Sequence, residues 1–321
     1  MDDFEIIDAH IHLSRSMAEE EKRMVLPGRR TRDRWATAET ALPFMDQEGI
    51  SKAVVLYLIP REFRIDAEKE NQSESTQQRH RGVGKIRSQI GEVIRNFNQW
   101  GCEVGKQFPR LIPFITIAPN IGDSTDMIEE LVLRVNQGAK GVKLHPGGFG
   151  FYPADRRMWP VYEKCQELKL PIIADSASSR TFKTLTGWRV RPPDPGIQYG
   201  EPDNFTEVLE NFPNLTLVLA HLGSDWWDER VELAKKYSNV YFDTSHGFST
   251  SDQIPCHPHR GLAEEDSVRI IRKIGVERVM FGSDAPALDR LPQLEQLLRL
   301  PLSNKEKRMI LSENAKRILQ I

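Results

Sequence analysis

Cysteine is scarce in this chain: three residues, Cys102, Cys165 and Cys256, among 321, with no Cys-x-x-Cys pair. An odd, widely spaced set cannot build a disulfide framework and fits a reducing compartment. Charge of one sign is also missing. Lys plus Arg number 44 against 46 Asp plus Glu, a formal charge of −2. With no long basic run, nucleic acid is excluded as a default partner. No apolar run approaches the roughly 18 residues of a membrane span, so no membrane partner is expected. The first residues are acidic (Asp2, Asp3, Glu5) and lack a signal-peptide pattern. These absences place the expected protein in the cytoplasm. A Gly-rich phosphate loop is absent after the first apolar run, which weakens a doubly wound nucleotide-binding sheet.

What is present is a repeated alternation. Hydrophobic residues make up 39% of the chain, and they gather in short runs separated by helix-like stretches. The runs are Ile6–Leu13, Lys52–Ile59, Leu111–Ala118, Gly141–His145, Leu170–Asp175, Leu215–His221, Val240–Asp243 and Arg278–Asp284. Most are continuous rather than alternating, as strands buried on both faces should be. Helical patterns fall near 37–48, 85–107, 124–137, 156–168, 204–211, 227–237 and 262–274, with closing helices near 292–300 and 303–319. Ser124 and Asn204 read as N-caps. Eight strands alternating with helices predict one (β/α)8 TIM barrel over 1–321. An open doubly wound sheet is the runner-up. Three polar stretches exceed ordinary loops: 14–34, 61–84 and 176–203. Each follows a strand's C-terminal end, the catalytic face of such a barrel. We read 61–84 as a lid or a disordered segment and 176–203 as a substrate loop.

Ionisable residues interrupt the apolar pattern at the ends of the runs. His10 and His12 are two apart on the first strand and so share a face, with Ala9 and Ile11 expected on the other. Lys143 and His145 repeat that spacing on the fourth. Asp175 ends the fifth run, His221 the sixth and Asp284 the eighth. Burying one such group unpaired costs several kcal/mol. Five strands that end this way at one face predict a converging site. Imidazole and carboxylate ligands there suit Zn, with Mn or Fe as alternatives.

Several motifs then carry a resemblance. Asp8-Ala-His10-Ile-His12, Gly141-Val-Lys-Leu-His145-Pro, Leu219-Ala-His221-Leu-Gly223, Phe281-Gly-Ser-Asp284-Ala-Pro and the closing Ile310–Leu319 segment resemble the amidohydrolase superfamily. The likeness is best to its amidohydrolase-related branch, which includes aminocarboxymuconate-semialdehyde decarboxylase-like enzymes. It implies a metal-dependent barrel enzyme with His10, His12 and Asp284 as ligands. His221 is implied as a further ligand or as the group that polarises substrate. The family places another histidine at the end of strand five, where this chain has Asp175. That carboxylate can still ligate a divalent ion; otherwise the metal is lost, or Lys143 or His145 is recruited.

The resemblance implies hydrolysis of an amide, ester or lactone bond in a small molecule, by a metal-bound water of lowered pKa. Asp284 and His221 are the catalytic pair, for proton transfer and charge stabilisation. Non-oxidative decarboxylation of an aromatic or unsaturated acid is the alternative. A catalytically silent barrel with a binding role is the second. Lys143, His145, Arg189, Arg191 and His246 are the expected substrate contacts, the arginines as carboxylate clamps. A homodimer is expected by analogy with relatives.

Overall fold

The structure is a computed structural model, and it describes residues 4–16, 36–56, 76–176, 199–222, 226–245, 263–286 and 290–321, with backbone alone over 76–89. Eight parallel strands follow one another in order around a single sheet. They are β1 (Ile6–Ile11), β2 (Ile50–Leu56), β3 (Leu111–Thr116), β4 (Gly141–Leu144), β5 (Ile172–Ala174), β6 (Leu217–Leu219), β7 (Val240–Asp243) and β8 (Val279–Met280). The ring closes between β1 and the segment after β8. Ala9 N donates to Phe281 O at 2.8 Å, His12 N to Ala285 O at 2.7 Å, and Asp284 N to His10 O at 2.8 Å. The expected (β/α)8 barrel is therefore the fold.

Helices lie between the strands. They are α1 (Ala38–Gln47), α2 (Thr76–Gln107), α3 (Ser124–Asn136), α4 (Pro146–Phe149), α5 (Trp159–Glu167), α6 (Thr206–Asn211), α7 (Trp227–Lys236), α8 (Glu264–Ile274), α9 (Arg290–Arg299), α10 (Asn304–Arg308) and α11 (Asn314–Leu319). A π-turn, Met309–Glu313, joins the last two. No helix among the described residues is long and apolar enough to cross a membrane.

Strand periodicity sorts the core into two layers. Ile7, Ala9, Val54, Leu56, Ile112, Phe114, Ile173, Val218, Ala220 and Met280 pack together inside the barrel, and Ala315, Ile318 and Leu319 of α11 join them. Val55, Ile115, Val142, Leu144, Ile172, Leu217, Phe242 and Val279 face the helices. Each such aliphatic side chain, fully buried, contributes about 1.5–3 kcal/mol.

Local expectations needed three corrections. Ser124 is not the cap of α3: Asp123 is, accepting from Thr125 N at 2.8 Å and Asp126 N at 3.1 Å. Asn204 lies inside a 3-10 turn, Pro202–Phe205, and α6 has no side-chain cap. Part of the expected lid is helix, because α2 begins at Thr76. Its first turns are polar and carry no apolar period, so pattern reading started the helix too late. Residues 61–75 of that stretch, and 177–198 of the substrate loop, lie outside the described residues.

Candidate metal and proton-transfer site

The site is built on an irregularity in β1. The register with β2 shifts between Asp8 and Ile11. Ala9 consequently belongs to the inner layer with Ile7, rather than sharing Ile11's outer face. A bulge of this kind re-aims the side chains that follow it. His10 and His12 then both point inward, and the His10 N–H is satisfied by Asp8 Oδ1 at 3.1 Å. Gly282 makes room opposite. A Cβ there would lie 2.9 Å from His10 Cβ and 3.3 Å from Asp243 Cβ.

Two site residues sit in the left-handed backbone region: His221 at φ 66° and Asp284 at φ 59°. Such strain costs of order 1–3 kcal/mol for a non-glycine residue and concentrates at functional positions. Here each bend turns an ionisable side chain at a strand end over the barrel mouth.

The hydrogen bonds fix which ring nitrogen carries a proton. His12 Nδ1 lies 2.5 Å from Leu56 O, a carbonyl that can only accept. His12 therefore presents Nε2, 2.8 Å from Asp284 Oδ1. His10 Nδ1 donates to Asp243 Oδ2 at 2.8 Å, so it too presents Nε2, 3.5 Å from the same Asp284 oxygen. Ser245 Oγ donates to Asp243 Oδ1. The hydroxyl proton is thus committed, and His221 Nδ1 donates to Ser245 Oγ at 2.8 Å. His221 Nε2 faces Asp175 Oδ2 at 3.0 Å. Carboxylate oxygens opposed to bare imidazole nitrogens repel unless a cation or a proton stands between them.

All these groups are buried. Burial pushes His10 down to about 3, with Lys143 assisting and Asp243 opposing, so its ring is neutral and ready to ligate. Burial alone would raise Asp243, but its contacts with His10 and the hydrogen bond from Ser245 hold it below the usual carboxylate range. Burial would likewise raise Asp175, yet His145 and His221 hold it well below that range. Three carboxylates, Asp175, Asp243 and Asp284, meet one ammonium, Lys143, whose own pKa burial lowers. Among the described residues the carboxylates of the site outnumber its ammonium, an excess of negative charge that a divalent cation offsets.

The donor set fits that cation. Among the described residues, His10, His12 and Asp284 bring one ligand atom each within 4.8 Å of one another, and so do His10, His221 and Asp243. Of the expected ligands, Asp175 stands apart from both groups and lies against His221, and His145 Nε2 is 3.8 Å from it. His145 Nδ1 accepts from Gly148 N at 2.9 Å, which starts α4. Lys143 lies on the same inner face of β4. Arg189, Arg191 and His246 lie outside the described residues.

Asp243 and Ser245 were missed by sequence reasoning, although Asp243 obeys the rule that found the others: it is an ionisable residue at a strand's end. It accepts from His10 Nδ1, the His221 backbone N and Ser245 N, so it orients the His10 imidazole directly and that of His221 through the Ser245 hydroxyl. Asp8 was missed too. It takes Ser283 N at 3.0 Å and Ser283 Oγ at 2.6 Å, tying β1 to the turn that carries Asp284.

Comparisons with known proteins bear on the fold and the family. A search of curated proteins gives no sequence match. Solved structures do match. A 2,6-dihydroxybenzoate decarboxylase from Rhizobium is 16% identical, over 100% of this chain and 99% of its own, with a TM-score of 0.66. A dihydroxybenzoic acid decarboxylase from a Polaromonas species, with bound manganese and the inhibitor 2-nitroresorcinol, is 15% identical, over 99% and 97%, with a TM-score of 0.67. A 4-oxalomesaconate hydratase from Rhodopseudomonas palustris is 18% identical, over 98% and 95%, with a TM-score of 0.62. At these identities the likeness is one of fold. The family model described as Amidohydrolase matches residues 7–321. With nearly the whole length matched, the chain belongs to the amidohydrolase family, a family of enzymes.

Proposed function

We propose that the protein is a metal-dependent hydrolase that cleaves an amide, ester or lactone bond in a small, anionic or aromatic molecule. The observation that carries this reading is the meeting of His10 Nε2, His12 Nε2 and Asp284 Oδ1 at one buried point, beside the 3.0 Å contact of His221 Nε2 with Asp175 Oδ2. His10, His12 and Asp284 would hold the ion, Zn by preference and Mn or Fe otherwise, with Asp175 or His221 closing the set. When bound, it supplies Lewis acidity and makes hydrolytic water nucleophilic at neutral pH. Asp284 accepts a proton at Oδ1. His221, steadied by Ser245, turns the proton it shares with Asp175 toward charge developing on the substrate oxygen. His145, and the loop residues Arg189, Arg191 and His246, complete the proposed substrate contacts.

The same proton, delivered to carbon, suits a decarboxylase, and two of the fold neighbours bear that name. The cytoplasm and a homodimer remain our proposed setting, supported for the former by buried, unbridged Cys102 and Cys165. The test is metal analysis of the purified protein with a substrate panel. One equivalent of divalent ion, lost with activity in His12→Ala, is expected. Release of CO2 from hydroxybenzoates or muconate-type acids, without hydrolysis of esters, lactones or amides, assigns the lyase. Absence of metal and an unaffected His12→Ala variant overturn both readings.

A further inference from the structure

Four cationic side chains are buried among the described residues: Arg134, Arg230, Arg290 and Lys143. Three are tethered. Arg134 Nε donates to Glu130 Oε1 at 2.8 Å, Arg290 Nε to Glu48 Oε2 at 2.6 Å, and Arg230 Nη2 to the Ser176 carbonyl. Lys143 differs. Its side chain is 1% exposed, yet Nζ has no hydrogen-bond partner among the described residues. An ammonium taken from water with nothing in exchange costs several kcal/mol. A purely structural lysine on an inward strand face would have an ion pair.

The charges around it explain the vacancy of partners. Asp175, Asp243 and Asp284 all act on Lys143 electrostatically, but none forms an ion pair with it. At least one oxygen of each is turned to another group. Both Asp243 oxygens take donors from His10, His221 and Ser245. Asp175 Oδ2 faces His221, and Asp284 Oδ1 faces His12. Three ammonium protons are thus held at the barrel mouth, beside the reacting groups, with no acceptor among the described residues. A group that fits them is a monoanion with paired oxygen acceptors. A dianion such as phosphate would meet more repulsion from the three carboxylates.

We propose that Lys143 is the anchor for a substrate carboxylate, so the enzyme acts on small molecules that carry a carboxylate beside the reacting bond. This deepens the proposed function and rests on it for the position of the reacting bond. It differs from a metal-ligand role for Lys143, and the experiment separates the two.

Benzoate and succinate, with benzamide and succinamide as uncharged counterparts, are titrated calorimetrically into the metal-loaded protein. Metal content is measured in parallel. The wild type should bind each acid about ten-fold or more tightly than its amide. Lys143→Met and Lys143→Gln should each erase that preference while leaving amide binding and metal content unchanged. Two variants guard against a folding defect in one. The proposal is overturned if the wild type shows no preference for the acids or does not bind them. It is also overturned if both variants keep the preference, or if they lose a metal equivalent. Should the protein bind no metal yet retain a Lys143-dependent preference for acids, the hydrolase reading fails and the carboxylate anchor stands.

Discussion

Replacing Asp243 by Asn tests the logic of the site most directly, because it changes a proton's place rather than a shape. Asp243 Oδ1 faces three donors: His221 N at 3.1 Å, Ser245 N at 3.0 Å and the Ser245 hydroxyl. An asparagine must put its carbonyl oxygen there. Its NH2 group then occupies the Oδ2 position, 2.8 Å from His10 Nδ1. Two donors cannot share that contact, so His10 must accept at Nδ1 and carry its proton on Nε2. That nitrogen is the one that faces Asp284 Oδ1, at 3.5 Å. The variant keeps its volume and loses one ligand. Removal of such orienting partners costs 10–100-fold in metal affinity, and a forced wrong tautomer belongs at the upper end, about 100-fold or ~2.7 kcal/mol. Asp243→Ala should be less harmful to the metal than Asp243→Asn, because a water can accept from His10 Nδ1. The assay is competitive titration of Zn or Mn against a chelating dye at neutral pH, with circular dichroism as the control for folding. An Asn variant that binds metal within about three-fold of wild type, or better than the Ala variant, refutes the tautomer argument.

Other outcomes follow from the same geometry. Gly282→Ala should cost about 1–3 kcal/mol in urea denaturation and weaken metal binding, since its Cβ would meet His10 and Asp243; unchanged stability would mean the close approach is unimportant. His221→Gly and His221→Ala should both be inactive, but the Gly variant should be about 1 kcal/mol the more stable, because φ is 66° there. Equal stabilities would remove the strain argument. Burial pushes Asp8 up to about 6 from 3.8, against the opposing charge of Arg290. The folded state therefore binds more protons than the unfolded state between those values, and this contribution is present below 3.8 and lost as pH rises through 6. Relative to Asp8→Asn, the wild type should lose roughly 2.4 kcal/mol between pH 4 and 7 in chelator-treated protein. Parallel pH profiles would refute it.

The legible part of the site was the part written in strand ends. His10, His12, His221 and Asp284 stand out because an ionisable residue has no structural reason to finish a buried apolar run. Asp243 obeys the same rule, but its run of four residues is too short for the break in the apolar pattern to stand out. Ser245 gives no signal in sequence: a serine after a strand is ordinary until its hydroxyl is seen between His221 and Asp243. Asp8 reads as part of a motif, but its grip on Ser283 crosses the seam of the barrel, 275 residues apart in sequence. The caps at Ser124 and Asn204 were misplaced because several neighbouring polar residues can cap and only backbone geometry chooses between them.

The sequence by itself determined the barrel, its eight strands and the face on which ionisable groups gather. Hydrophobic period and strand count are local properties, and they suffice for that. Only the tertiary structure decided how the groups pair. The bulge in β1 puts Ala9 and His10 both on the inner side, against simple alternation. The left-handed bends at His221 and Asp284 aim those side chains. Long-range hydrogen bonds set each imidazole's tautomer. They attach Asp175 to His221 and His145, away from the His10–His12–Asp284 group, and leave the buried Lys143 Nζ without a hydrogen-bond partner among the described residues. Those are contacts between strands far apart in the chain, and no local pattern encodes them.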